Sequence, residues 1–358
     1  MIILNKSKLS FGLIALFAFT VSCEDKSGQA EEHVLDWGNL DLTEDFQTGR
    51  TNAEGIDTDQ LETGLERAKV LDNFYAIAIV YKGRLVVEEY KYGNRDTQYP
   101  IWSVTKSFLS ALVGQTIDKG HLDDEFKALG NYYPNIANSV KRQITFGQLL
   151  TMSSGIPDNT GYMFEAYPLQ FIMDKALLYP SGTDWNYTSA GTHVLSYLFT
   201  AVMDESASSF GELNLFSKIG ISEYTWESDA YGVSNGGFGL SLRLIDMAKF
   251  GQLFLQEGTS AGEEIISSAW VRKSFAMTIP FNQDKSSGYG YLWWMRMVNG
   301  EKMVYAAGYG GQYIMIVPTR ALVVAITSSS RYNGEYGQNL NRIFYQDIIG
   351  SFRALNRE

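Results

Sequence analysis

The sequence predicts an α+β fold, an antiparallel β-sheet split in sequence by a helical insertion. Strand-like runs stand at both ends of the chain, over residues 74–90 and 289–327, and the residues between them carry helical periodicity. A length of 358 residues, 45% of them apolar and 19% charged, allows an ample globular core.

The N-terminus reads as a targeting segment. Lys6 and Lys8 precede an apolar run over 11–21, followed by Ser22 and Cys23, the layout of a secretory signal over 1–22. Cys23 is the only cysteine, so no intramolecular disulfide is expected. Its place after a small residue resembles a bacterial lipoprotein cleavage box, with Thr20 departing from the usual Leu or Val. That resemblance implies lipidation at Cys23, a membrane partner through the lipid anchor, and an exported protein of the cell envelope. Residues 23–50 are polar and acidic and read as a tether, leaving 51–358 for the folded domain.

Within that domain Leu61, Leu65 and Ala68 are spaced for one face of a helix over 58–72. Two strands, 74–81 and 84–90, flank a Lys82-Gly83 turn, a hairpin signal. Phe108, Leu109, Leu112, Val113 and Ile117 then recur at helical spacing up to Gly120, predicting a helix buried on one side. An all-helical lobe is expected over about 120–285, with helices at 146–152, 169–178, 190–203 and 242–256. Strands return at 289–295, 303–307, 313–317 and 322–327, and a last helix is expected over 337–355.

The chemistry is expected where that first long helix begins. In Trp102-Ser103-Val104-Thr105-Lys106, residues three apart share a helix face, so hydroxyl and amine can meet at one point. A serine hydroxyl becomes a nucleophile when a base takes its proton, and burial can lower a lysine pKa enough to serve. Ser-x-x-Lys should occur roughly once by chance in a chain this long, so further groups are needed. Tyr187, in a loop ahead of the 190–203 helix, is a candidate acid/base, although it is one of 22 tyrosines. Gly308-Tyr309-Gly310-Gly311, between two strands, offers backbone N–H groups to an oxyanion or serves merely as a turn.

Other chemistries lack their residues. Of the three histidines, His33 falls in the tether, His121 ends the first long helix, and His193 sits on an apolar helix. Each reads better as solvated or as a satisfied core residue than as a triad member. No cluster has metal-ligand spacing and no loop has phosphate-binding form, so neither metal nor organic cofactor is expected. A formal net charge of −11 without a basic run argues against nucleic acid.

Ser103-Val104-Thr105-Lys106, Tyr187-Thr188-Ser189 and Gly308-Tyr309-Gly310-Gly311, in this order, resemble the serine β-lactamase and penicillin-binding-protein superfamily. The stretches 149–156, 236–241, 289–294 and 310–313 are similar to its class C-like branch that includes the 6-aminohexanoate-dimer hydrolase. The resemblance implies a sheet flanked by helices beside an all-helical lobe, with the cleft between them. It implies Ser103 as acylated nucleophile, Lys106 and Tyr187 sharing the acid/base work, and the N–H groups of Ser103 and Gly311 as oxyanion hole. Ser189, Gly308, Tyr309 and Gly310 would contact substrate.

Two residues depart from the pattern. Ser189 replaces an asparagine usual in β-lactamases, and Gly308 stands where they keep a lysine. The implied partner is a small-molecule or peptide-like ester or amide, and Trp102, Tyr187, Tyr309 and Trp293 would suit an apolar or small cyclic one. A D-Ala peptidase or β-lactamase, and a non-catalytic surface binding protein of the same fold, are the alternatives.

Overall fold

Phe74–Tyr81 (β1) and Arg84–Tyr90 (β2) are paired antiparallel across Lys82 and Gly83, both at positive φ as a tight hairpin requires. The computed structural model describes residues 37–298, 300–331 and 342–355. The expected leader, Cys23 and His33 lie outside them. The helix Thr58–Lys69 (α1) precedes β1, and Gln98–Pro100 (β3) leads to Thr105–Asp118 (α2). Next come α3 (Leu129–Tyr132), α4 (Phe146–Leu150), α5 (Pro168–Asp174), α6 (Ser189–Met203) and α7 (Ala207–Gly211). Strands β4 (Tyr224–Trp226) and β5 (Leu240–Arg243) are followed by α8 (Leu244–Leu255), β6 (Thr259–Ser260), β7 (Glu263–Glu264) and α9 (Ser268–Ser274). The chain then forms β8 (Ile279–Pro280), β9 (Ser287–Tyr289), β10 (Trp294–Val298), β11 (Glu301–Gly308), β12 (Gln312–Val317) and β13 (Leu322–Ser328).

Eight strands make one antiparallel sheet in the order β2-β1-β13-β12-β11-β10-β9-β8. The two strand-bearing parts of the sequence meet at the second and third strands of this sheet, where Ile77 faces Ile326 and Ile79 faces Val324. Alternate residues of a strand point to opposite faces. Here Ala76, Ala78 and Val80 enter one core, Ile77 and Ile79 a second. Both faces are covered, which is why β1 reads as an apolar run without alternation. Leu61, Leu65 and Ala68 of α1 pack on one face with Phe344 and Ile348 of the C-terminal helical turn, and α8 lies on the other. The turn around Phe344 falls in the segment expected as a helix over 337–355, part of which lies outside the described residues.

Several expectations change. The insertion is not all-helical: its strands β4 and β5 form a small sheet with β3, which precedes it, and β6 pairs with β7. The run 289–295 is not one strand, because the chain turns after Tyr289, with Leu292 at φ +61°, before β10 begins. The expected tether is docked from Trp37 onward: Leu42 is buried, its N–H donates to Ser260 Oγ, and Gly49 N–H donates to the Leu85 carbonyl.

The helix after Ser103 is buried all round rather than on one side, from Thr105 to Thr116. Layers pack against it from both directions, and its polar side chains find carbonyl acceptors. Ser107 Oγ donates to the Leu292 carbonyl at 2.7 Å, Ser110 Oγ to that of Tyr291 at 2.8 Å, and Gln115 Nε2 to that of Ile265 at 2.8 Å. Phe108 stacks on Phe250 of α8 with ring centres 3.7 Å apart. Truncating a fully buried phenylalanine costs about 3–5 kcal/mol. Phe108→Ala is therefore expected to lose that much in urea denaturation, and a loss under about 1 kcal/mol would mean that α2 is not the centre of the packing.

Candidate active site

Ser103 lies in a single tight turn, Trp102–Val104, between β3 and α2. Three bonds to neighbouring backbone and side chain pin that turn. Ile101 N–H donates to the Leu240 carbonyl at 3.0 Å, Thr105 Oγ1 donates to the Trp102 carbonyl at 2.6 Å, and Leu240 N–H donates to Thr105 Oγ1 at 3.2 Å. Trp102 is held at φ +50°, a left-handed conformation that a bulky residue adopts only under constraint.

At the second residue of α2, one turn past Ser103, Lys106 is 1% exposed and reaches back to this serine. Its Nζ bonds Ser103 Oγ at 3.0 Å, Ser189 Oγ at 3.1 Å and the Gly237 carbonyl at 2.6 Å. All three partners are neutral. Burial disfavours the charged form and lowers the Lys106 pKa from 10.5 to about 7, opposed by the more distant Asp158 carboxylate. Lys106 Nζ also lies 4.8 Å from the centre of the Tyr187 ring. Burial pushes the Tyr187 phenol above its ordinary pKa, partly offset by its hydrogen bond with Ser103. Ser103, Lys106 and Tyr187, scattered over 84 positions of sequence, thus meet at one hydroxyl.

The surroundings hold this group in place. Thr188 caps α6 by accepting from Gly191 N–H, so the helix begins at Ser189, beside Lys106. Asp158 Oδ1 accepts the Ser189 N–H at 2.6 Å, placing an anion at the helix N-terminus, where the dipole favours it. Gly237 is positioned by Asn235, whose Oδ1 accepts from Gly237 N–H at 3.0 Å and from Tyr162 Oη at 2.8 Å. Asp158 and Asn235 carry no motif signal. The Gly236-Gly237-Phe238-Gly239 stretch was visible only as part of the resemblance, without a role.

The glycine turn behaves differently from expectation at three positions. A Cβ on Gly308 would stand 2.3 Å from the Ile101 carbonyl oxygen, so Gly308 is a packing glycine where β11 closes on the strand leading to Ser103. Gly310 and Gly311 have φ of +83° and +104°, and the N–H of Gly311 donates to the Gly308 carbonyl at 3.1 Å. That bond commits the donor expected for the oxyanion. The N–H of Tyr309 makes no hydrogen bond among the described residues. Ser189, expected against substrate, is 6% exposed and holds Lys106 instead.

Two further expectations concerned aromatic and histidine side chains. Trp293 is fully buried and packs on Phe250 and Phe254, away from the cleft. Its neighbour Trp294 stacks on Tyr187 at 5.4 Å, a swap caused by the turn after Tyr289. His121 is exposed, and His193 is buried against Asp229 Oδ2 at 3.1 Å. A cleft of 380 Å³ lined by Tyr132, Tyr133, Tyr167, Tyr197 and Tyr231 contains none of Ser103, Lys106 and Tyr187. The bonded Ser103–Lys106 pair, rather than that cleft, is the candidate reactive centre.

Comparison with known proteins agrees with this geometry. Residues 75–344 match the model of the Beta-lactamase family. The chain is 25% identical over 291 residues to the 6-aminohexanoate-dimer hydrolase of Paenarthrobacter ureafaciens, covering 70% of this chain and 71% of that protein. A Bacillus anthracis structure provisionally described as a 6-aminohexanoate-dimer hydrolase superposes with a TM-score of 0.72 at 19% identity, covering 87% of this chain and 88% of that one. The class C β-lactamase of Rhodobacter sphaeroides superposes at 0.64 and 14% identity, covering 81% and 98%. With three quarters of its length inside the family model and a serine bonded to a buried lysine at the start of α2, the chain belongs to the beta-lactamase family and is a serine hydrolase.

Proposed function

We propose that the protein cleaves an ester or amide bond through an acyl-enzyme on Ser103, with Lys106 as base and Tyr187 as the group that protonates the leaving atom. The observation that carries this reading is the 3.0 Å contact between Ser103 Oγ and a lysine whose pKa is lowered to about 7. A neutral amine has two N–H groups and one lone pair. Gly237 O and Ser189 Oγ can accept the two N–H groups, leaving the lone pair for the Ser103 proton. Tyr187, kept protonated by burial, is suited to donate to the leaving oxygen or nitrogen. Water then attacks the acyl-serine by the same path in reverse.

The tetrahedral oxyanion needs two N–H donors. Ser103 would supply one and the glycine turn the second; there the N–H groups of Tyr309 and Gly310 make no hydrogen bond among the described residues, while that of Gly311 donates to the Gly308 carbonyl. Residues 306–312 hold no cation to meet a β-lactam carboxylate. One charge-assisted bond is worth about 1.5–3 kcal/mol, which favours ester or amide cleavage over antibiotic hydrolysis. The amide-cleaving name of the Paenarthrobacter relative points the same way. Export and lipidation at Cys23 belong to the same proposal, and the mass of the mature N-terminus from envelope fractions tests them.

Ser103→Ala is expected to lower turnover of a p-nitrophenyl ester at least about a thousandfold and to abolish labelling by a fluorophosphonate. Retained labelling would place the nucleophile elsewhere. In the intact protein kcat/KM should rise with pH through about 7, as Lys106 loses its proton. A flat profile from pH 5.5 to 8.5 would remove Lys106 as the base.

Stability carries the same signature with a definite sign. Lys106 ionises near 7 when folded and near 10.5 when unfolded, so its burial opposes folding fully below pH 7 and ever less towards pH 10.5. Lys106→Met should be inactive, and its stability relative to wild type should be greatest at pH 6 and fall by about 3 kcal/mol towards pH 9. Urea denaturation at both pH values measures the difference; a pH-independent gap would contradict a depressed lysine.

A further inference from the structure

Three aromatic rings sit on the segments that converge on Ser103 and Lys106. Trp102 immediately precedes Ser103, Phe238 immediately follows Gly237, whose carbonyl accepts from Lys106, and Tyr309 stands in the glycine turn between β11 and β12. The rings touch one another: Trp102 lies 5.5 Å from Tyr309 and 6.3 Å from Phe238, centre to centre. None is withdrawn into the core. Tyr309 is 46% exposed, and Trp102 and Phe238 are half-buried. Trp102 has a left-handed backbone, an uncommon conformation for a bulky residue, and its partly exposed indole is the residue next to Ser103.

A second aromatic group stands around Tyr187, formed by Trp185, Tyr289 and Trp294. Among the described residues no ring of one group contacts a ring of the other. Tyr187 serves the leaving atom, so the leaving group extends towards the second group. The acyl substituent of the same carbonyl carbon must then extend away from Tyr187. The nearby Asp158 carboxylate, felt by both Lys106 and Tyr187, opposes a negative charge on that substituent.

We propose that Trp102, Phe238 and Tyr309 form the acyl-group subsite of Ser103, and that it takes a flat, uncharged aryl or alicyclic acyl group. This rests on the hydrolase reading above. Ser103 Oγ bonds the carbonyl carbon, the bond to the leaving oxygen or nitrogen breaks as that atom takes a proton, and water later releases the aryl or alicyclic acid.

The test compares p-nitrophenyl acetate with p-nitrophenyl phenylacetate, which share a leaving group, each rate divided by its hydroxide-catalysed rate. The wild-type phenylacetyl-to-acetyl ratio of kcat/KM should exceed about ten. Phe238→Ala should lower that ratio about tenfold; Phe238→Leu, which keeps most of the volume, serves if the alanine variant does not fold. A ratio near one in wild type, or a ratio unmoved by both variants, overturns the subsite. So does a variant effect seen only when the alcohol is varied, between p-nitrophenyl acetate and ethyl acetate. Fluorophosphonate labelling separates the two levels. A labelled, acetyl-cleaving enzyme without acyl preference sinks the subsite alone, whereas an unlabelled and inactive protein sinks the hydrolase reading and the subsite with it.

Discussion

Lys106 lies almost wholly out of water, yet the groups that meet its amine are a serine hydroxyl, a second serine hydroxyl and a peptide carbonyl. A carboxylate at the same distance would hold the lysine charged and useless as a base. Neutral acceptors satisfy its N–H groups without supplying a counter-charge, so the cost of desolvation falls on the proton itself. Among the described residues the opposing influence is Asp158, which is turned to the N–H of Ser189 and makes no hydrogen bond to the amine. The balance lowers the lysine pKa to about 7 while burial raises that of the neighbouring phenol, so the two groups are driven in opposite directions within one site.

That balance makes demands on the whole fold. Lys106 can be buried only if α2 is surrounded, and the sheet with α8 on one side and the inserted region on the other do so. The polar residues of α2 survive there because carbonyls of the 291–292 turn and of the loop before α9 accept from them. Ser103 is placed differently and stays partly exposed. It sits in the turn before the helix, stretched between β5 and the end of β11, where Gly308 leaves room for the Ile101 carbonyl. Strain at Trp102 is localised at that junction.

Aromatic residues divide between these two environments by position rather than by type. Trp293 fills the core beneath the sheet, and Trp294, one residue on, lines the site beside Tyr187. His193 shows the reverse outcome: a residue with catalytic potential is spent on a buried contact with Asp229. Neither assignment could be made from residue identity, because both depend on which face of a turn or helix the rest of the chain covers.

By itself the sequence determined the long strands of the main sheet, most of the helices and the pairing of Ser103 with Lys106, since these rest on local periodicity and on a spacing of one helical turn, whereas the short strands β3 to β8 left no such signal. It also determined Tyr187 and the glycine turn as candidates, through their order along the chain. Only the tertiary structure decided their use. It turned Ser189 inward to the lysine, spent the Gly311 N–H on Gly308, brought in Gly237 and Asp158 from distant loops, and chose Trp294 over Trp293. The reason is physical: a pKa, an open N–H and an exposed ring are set by what surrounds a group in space, and at this site the surroundings come from segments more than a hundred residues apart.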